Sequence, residues 1–150
     1  MDHGKFNDFQ KINIMLMTIG MLYHDATSRF GLTDNITFIL RFIYENGDHC
    51  PLSSIYKTTG IRKQTINSSI RKLEADGILY LEQTNGRSKR VILTEKGKAL
   101  MENTVGQIHA AEVHALDDWS QEEIQTYINM LFKVAGSLKR ELDKLDYPES

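Results

Sequence analysis

The sequence predicts a mainly α chain of the α+β class: a small helical lobe carrying one β-hairpin, flanked by long helices on its N- and C-terminal sides. Three observations lead there. Apolar residues recur at alternating three- and four-residue steps through most of the chain. Two short strand-forming runs, "ILYLEQ" and "SKRVIL", stand on either side of an Asn85-Gly86 turn signal. Prolines occur at positions 51 and 148 and nowhere else, so long uninterrupted helices are permitted. A chain of 150 residues suits one domain that buries its own core.

The elements follow in order. Residues 5–30 carry Phe9, Ile12, Leu16, Ile19, Tyr23, Ala26 and Phe30 on one stripe of a long helix, with Gly31 as its stop. A second helix runs from Thr33 or Asp34 to Glu45, with Ile36, Ile39, Leu40 and Ile43 turned inward, and ends at Asn46-Gly47. Pro51 opens a short helical segment, "LSSIYKTTG", closed by Gly60. In "IRKQTINSSIRKLEADG", Ile66, Ile70 and Leu73 face a core, and Gly77 ends the helix. The two strands follow. Thr94 then caps one helix that runs to about Ala115, with Glu95 in its first turn. Ser120 and Glu123 form a capping box for a last helix, and Trp119 can staple onto Ile124. That helix carries Ile124, Ile128, Leu131, Ala135, Leu138, Leu142 and Leu145, a 4-3 alternation over three heptads. The predicted order is α-α-α-α-β-β-α-α. The terminal stripes exceed what a small lobe needs for its core, and a second copy of the chain is the simplest supplier of a partner. The competing possibility is that first and last helices cover each other within one chain.

Charge is distributed unevenly. The net charge is −2. From Lys57 to Lys98, however, ten Lys and Arg stand against four acids, a local +6, and the remainder carries −8. A basic centre between acidic arms is the asymmetry expected of a chain that meets a polyanion, although a basic surface without a partner would look the same. No apolar run approaches the roughly 20 residues of a membrane span. Polar and charged residues precede any apolar pattern, which argues against a signal peptide. One cysteine excludes an intrachain disulfide and suits the cytoplasm. The sequence lacks GxSxG, P-loop and dinucleotide fingerprints, so it predicts neither an enzyme nor a bound cofactor.

The chemistry concentrates in residues 52–93. A short helix, a turn through Thr58-Thr59-Gly60 and a second helix with small polar and basic residues off its core stripe read as a helix-turn-helix. Such a second helix fits the major groove of double-stranded DNA with its N-terminal residues against base edges. Gln64 and Asn67 can pair bidentately with adenine, Arg62 or Lys63 can reach guanine or phosphate, and Thr65, Ser68 and Arg71 lie on the same polar side. An ordinary solvated helix face remains the plain alternative. The hairpin decides between them, because a helix-turn-helix followed by a basic hairpin is a winged helix. Arg87 lies at the tip, where it can enter a minor groove, and Lys89 and Arg90 point to opposite sides of the strand.

"RKLEADGILYLEQTNGRSKRVILTEKGKAL", residues 71–100, resembles the recognition-helix end, wing and following helix start of the MarR family of transcription regulators, and the resemblance extends over nearly the whole chain. It implies a triangular homodimer that binds a pseudo-palindromic DNA operator, acts as a repressor, and is released by a small, commonly aromatic or anionic, ligand bound between dimer region and DNA lobe. In those terms 1–150 is a single domain: about 33–95 is the winged-helix lobe, and about 5–30 and 98–146 are dimerisation helices. Phe9, Ile12, Leu16, Ile128, Leu131, Leu138 and Leu142 would form the dimer seam. Two positions depart from the family pattern. Asn85 stands where an acid usually orients the wing arginine, and Arg62 stands where a small capping residue is common.

Other candidate sites are weaker. Cys50 beside His49 would need exposure and a lowered pKa to act as a thiolate sensor, and the family's best-known sensing cysteine lies in the first helix, which has none here. His109 and His114 are five apart, where helical metal ligands prefer four, with Glu112 between them. Met15, Met17 and Met21 suit adaptable packing, or the wall of a ligand pocket with Tyr23 and His24. Two functions from different classes remain: a dimeric DNA-binding regulator, and a winged helix that binds only other proteins.

Overall fold

A computed structural model describes residues 3–47, 49–86 and 88–147. The chain divides into two compact units, one through His109 and one from Ala110 onward.

The first unit begins with α1 (His3–Arg29) and α2 (Asp34–Glu45). α1 ends in a pair of reverse hydrogen bonds, Leu32 N to Thr27 O at 3.2 Å and Gly31 N to Ser28 O at 2.9 Å, with φ +70° at Gly31. Thr33 caps α2 by accepting from the Ile36 amide at 3.4 Å. All four residues expected inward on α2 (Ile36, Ile39, Leu40 and Ile43) are buried. β1 (His49–Pro51), α3 (Leu52–Thr58) and α4 (Lys63–Ala75) follow. α4 buries Ile66, Ile70 and Leu73 as its stripe dictates, with Ser69 beside them. Its end repeats the motif of α1, Ile78 N to Leu73 O at 2.9 Å and Gly77 N to Glu74 O at 3.0 Å. Gly77 has φ +69°, a conformation that other residues adopt only with strain.

β2 (Leu79–Gln83) and β3 (Lys89–Leu93) pair antiparallel, Leu79 opposite Leu93 and Gln83 opposite Lys89. The hairpin was expected to be two-stranded, but the sheet has three strands in the order β1-β3-β2, with Cys50 opposite Val91. β1 is three residues long and ends in proline, so it has no alternation to read in the sequence; Pro51 is tolerated because β1 is an edge strand.

The single helix expected from Thr94 to Ala115 is two: α5 (Glu95–Asn103) and α6 (Val105–His114). The break falls at Thr104, with φ −129° and ψ −83°, whose hydroxyl donates back to Leu100 O at 2.7 Å. Asn103, Thr104, Val105 and Gly106 are all mediocre or poor helix formers, and the bend lets both Met101 and Val105 reach the core. Thr94 does cap α5, accepting from the Gly97 amide at 3.0 Å. Gly97 passes so close to the chain that a Cβ there would collide with the Ile78 carbonyl oxygen. That contact seats α5 against the start of the wing.

In the second unit, Ser120 caps α7 (Gln121–Leu142) with the full capping box: the Glu123 amide donates to Ser120 Oγ at 3.2 Å, and the Ser120 amide donates to the Glu123 carboxylate at 2.8 Å. These bonds from Ser120 hold the Glu123 carboxyl below its ordinary range. The Trp119 ring meets Tyr127 edge-on at 5.8 Å. Leu131 and Leu138 are each 37% exposed, and α7 has no buried residue. Among the described residues no helix is long and apolar enough to cross a membrane.

Candidate nucleic-acid interface

The polar side of α4 is laid out as its buried stripe requires. Arg62, Lys63, Gln64, Ser68 and Arg71 are exposed, and Thr65 and Asn67 are half-buried. Arg62 occupies the N-cap position with extended backbone, φ −56° and ψ 134°, and makes no side-chain cap bond. The first turn is closed instead by the Ile66 amide donating to Arg62 O at 3.1 Å. Backbone N–H groups therefore open the helix unmasked by any side-chain cap, on the end that also carries Lys63. Gln64 keeps both its carboxamide groups for a partner, with no hydrogen bond to another described residue. The Ser68 hydroxyl donates to Thr65 O at 2.9 Å, so its oxygen retains accepting capacity only.

Asn67 is arranged differently from expectation. Tyr56, on α3, donates its hydroxyl to Asn67 Oδ1 at 2.5 Å, and the Lys63 ammonium lies 5.2 Å from the centre of the same ring. Bidentate pairing with adenine uses that amide oxygen as the acceptor of the adenine amino group, and here one of its two lone pairs is taken by Tyr56. Burial raises the Tyr56 phenol above its ordinary value, which keeps it a neutral donor. Sequence reasoning missed Tyr56. It belongs to no apolar stripe, and nothing in a single sequence links it to a residue one helix further on.

On the wing, Arg90 faces Glu82 across the strands, and Lys89 faces neutral Gln83. Both basic side chains are exposed. An opposed carboxylate offsets Arg90, whereas Lys89 has none directly across from it. Asn85-Gly86 does turn the chain, with φ +68° at Gly86. The turn is wider than two residues: pairing stops at Gln83 and Lys89, the Thr84 amide donates to Ser88 O at 2.9 Å, and Gln83 Nε2 donates to Gly86 O at 2.5 Å. Arg87, the residue expected at the tip, lies outside the described residues.

Several lysines of the basic centre are committed elsewhere. Lys72 pairs with the Asp76 carboxylate at 3.3 Å, Lys96 donates to the Asp76 carbonyl at 2.7 Å, and Lys98 pairs with Glu95 at 2.9 Å. The cations left to meet a polyanion gather on the α4 start and the wing. Lys57, exposed in the last turn of α3, joins them and was not singled out in the sequence.

The weaker candidates lose ground. Cys50 is 1% exposed, and burial pushes its thiol up to about 11, opposite to what a sensor needs. Its neighbour His49 hydrogen-bonds Gly47 O at 2.9 Å instead. His109 packs its ring against Tyr44 at 5.7 Å, and His114 bonds Asp117 at 3.0 Å. No group of three or more His, Cys, Asp or Glu is placed to hold a metal among the described residues. Met15, Met17 and Met21 stand exposed on α1, Tyr23 is 41% exposed, and His24 pairs with Asp34 at 2.9 Å. A cavity of about 330 Å³ does exist in the first unit, with Leu32, Ile36 and Leu100 as apolar wall and with Lys72 and Lys96, both bonded to Asp76, on its polar side.

Comparison with known proteins follows the same lines. The MarR family model matches residues 30–90, which run from just after α1 into β3. No curated protein matches the sequence. A MarR family regulator of Neisseria meningitidis has a similar structure, with TM-score 0.76 at 14% identity, covering 91% of this chain and 97% of that one. A MarR family regulator of Silicibacter pomeroyi is similar with TM-score 0.63 at 20% identity, over 84% of this chain and 86% of that one. A MarR family regulator of Listeria monocytogenes, solved in complex with a 26-mer DNA, is similar with TM-score 0.66 at 19% identity, over 95% and 97% of the two chains. Residues 30–90 match the MarR family model, and over nearly its whole length the chain has the winged-helix fold of solved MarR family regulators.

Proposed function

We propose that the protein is a homodimeric transcription regulator that reads double-stranded DNA in a sequence-specific way. The observation that carries this reading is the α4 polar face. Arg62, Lys63, Gln64 and Arg71 are exposed on a helix whose other side closes a core, beside a wing that presents Lys89 and Arg90. The DNA-bound relative from Listeria monocytogenes has the same fold. In this reading Gln64, Thr65, Asn67 and Ser68 meet base edges, Arg62, Lys63 and Arg71 meet bases or phosphates, and Arg87, Lys89 and Arg90 meet the backbone or a minor groove. The apolar stripes of α1 (Phe9, Ile12 and Leu16) and of α7 (Ile128, Leu131, Leu138 and Leu142) form the seam with a second copy. The repressor sense rests on family resemblance alone. Release by a small effector rests on the same resemblance.

The test is fluorescence anisotropy with a random duplex across a salt series. DNA binding predicts affinity that falls linearly on a log–log plot, with a slope set by the number of phosphates neutralised. A protein-interaction module predicts no binding at low salt.

A further inference from the structure

The side chains of α4 do not all project freely. Lys63 and Asn67 are four residues apart and so share one side of the helix, and a single residue of the preceding helix engages both. The Tyr56 hydroxyl donates to Asn67 Oδ1 at 2.5 Å while the ring lies 5.2 Å from the Lys63 ammonium. A free asparagine amide can present either its oxygen or its NH2 group, because half a turn about the last torsion exchanges them. Here a partly buried phenol takes one of the two lone pairs of the oxygen and so holds Oδ1 toward Tyr56, and Asn67 Nδ2 has no hydrogen bond to another described residue.

From this juxtaposition, and resting on the DNA-binding reading above, we infer that Tyr56 is a positioning residue that fixes the hydrogen-bond polarity of Asn67, turning it into a donor that selects acceptor-rich base edges. In the major groove guanine offers two acceptors, N7 and O6, whereas cytosine offers the N4 amino donor, and adenine pairs an acceptor with a donor. Asn67 held with its oxygen engaged matches guanine, opposes cytosine, and gains only half of the adenine contact. Without the phenol the amide is free to turn. Both its groups then become available, and adenine becomes the better match. Tyr56 thereby sets base preference without touching DNA. Its ring also keeps Lys63 close to the surface of the lobe, on the side where Asn67 lies.

The experiment compares full-length wild type, Tyr56→Phe, Asn67→Ala and the double variant. Each is titrated against a duplex selected by the wild type and against every single-base variant of it. In the wild type, the position that loses its preference in Asn67→Ala should be guanine, favoured over cytosine by about tenfold. Tyr56→Phe should shift that one position toward adenine and reduce the guanine-to-cytosine ratio to about twofold, while the same change made on top of Asn67→Ala should add nothing. A merely structural role would weaken all duplexes in proportion and leave the ratios intact, which overturns the inference, as does an equal change of profile in both backgrounds. Should Tyr56→Phe fail to fold, Asn67→Asp decides. It keeps an oxygen for the phenol but has lost the donor, so guanine preference should disappear; guanine preference that survives refutes the proposal. A wild type that selects no duplex at all overturns the DNA-binding reading itself, an outcome distinct from an unchanged Tyr56→Phe profile.

Discussion

The lobe and the terminal helices carry apolar stripes of the same period with opposite fates. On α2 and α4 the stripes vanish into a core, with Ile39, Leu40 and Ile66 at 0% exposure. On α1 and α7 comparable residues stand in solvent, Leu16 at 44% and Leu131 at 37%. Periodicity fixes the element but not what covers it. A lobe of three short helices and a small sheet closes on itself, because α2, α4 and the sheet offer complementary apolar faces. Each long helix offers a surface with no equal inside its own unit, and exposed apolar surface of that extent marks an interaction site. The lobe thus closes its own core, whereas the apolar stripes of the two long helices remain exposed.

This contrast breaks first at the seam. Leu131→Glu with Leu138→Glu should yield folded monomers on a sizing column and weaken operator binding by about 100-fold or more, because two linked half-site contacts become one. Next comes the lobe core. Ile39→Ala should cost about 2–5 kcal/mol in urea unfolding. Gly97→Ala, which drives a methyl group into the Ile78 carbonyl, should cost about 3 kcal/mol. The sharpening observation is concentration dependence: truncations in the lobe should lower stability equally at all protein concentrations, and truncations on α7 should not.

Smaller effects separate the reading surfaces. Gln64→Ala should cost about 1–3 kcal/mol at particular base pairs and leave random duplex nearly unaffected, whereas Lys89→Ala should weaken all duplexes and lower the salt slope by about one phosphate equivalent. Equal losses on specific and random DNA for both would remove that division. Smallest is Ser120→Ala, which deletes the capping box of α7 and should cost about 1 kcal/mol by thermal melting.

Legibility in the sequence followed the range of the interaction. The inward faces of α2 and α4, the Thr33, Thr94 and Ser120 caps and the glycine stops are local signals of four to seven residues, and each stands where it was read. β1 escaped because three residues carry no period. The Thr104 break escaped because its cause is tertiary, the burial of Met101 and Val105 on both sides of a weak helical stretch. Within the candidate interface the basic and polar residues were visible by type and spacing, but which of them were already engaged was not. The Tyr56–Asn67 bond joins residues eleven apart on different helices, and the bond of Lys96 to the Asp76 carbonyl emerges only when α4 and α5 come together.

Selection of bound duplexes from a random pool by the full chain asks at once whether the lobe reads sequence and whether two lobes act as one. Two identical heads on a two-fold axis predict an enriched pseudo-palindrome with half-site centres about 10 base pairs apart, one helical turn, and inserting five base pairs between the half-sites should abolish tight binding. A pool without enrichment, or a single asymmetric half-site whose affinity survives the insertion, would contradict the account.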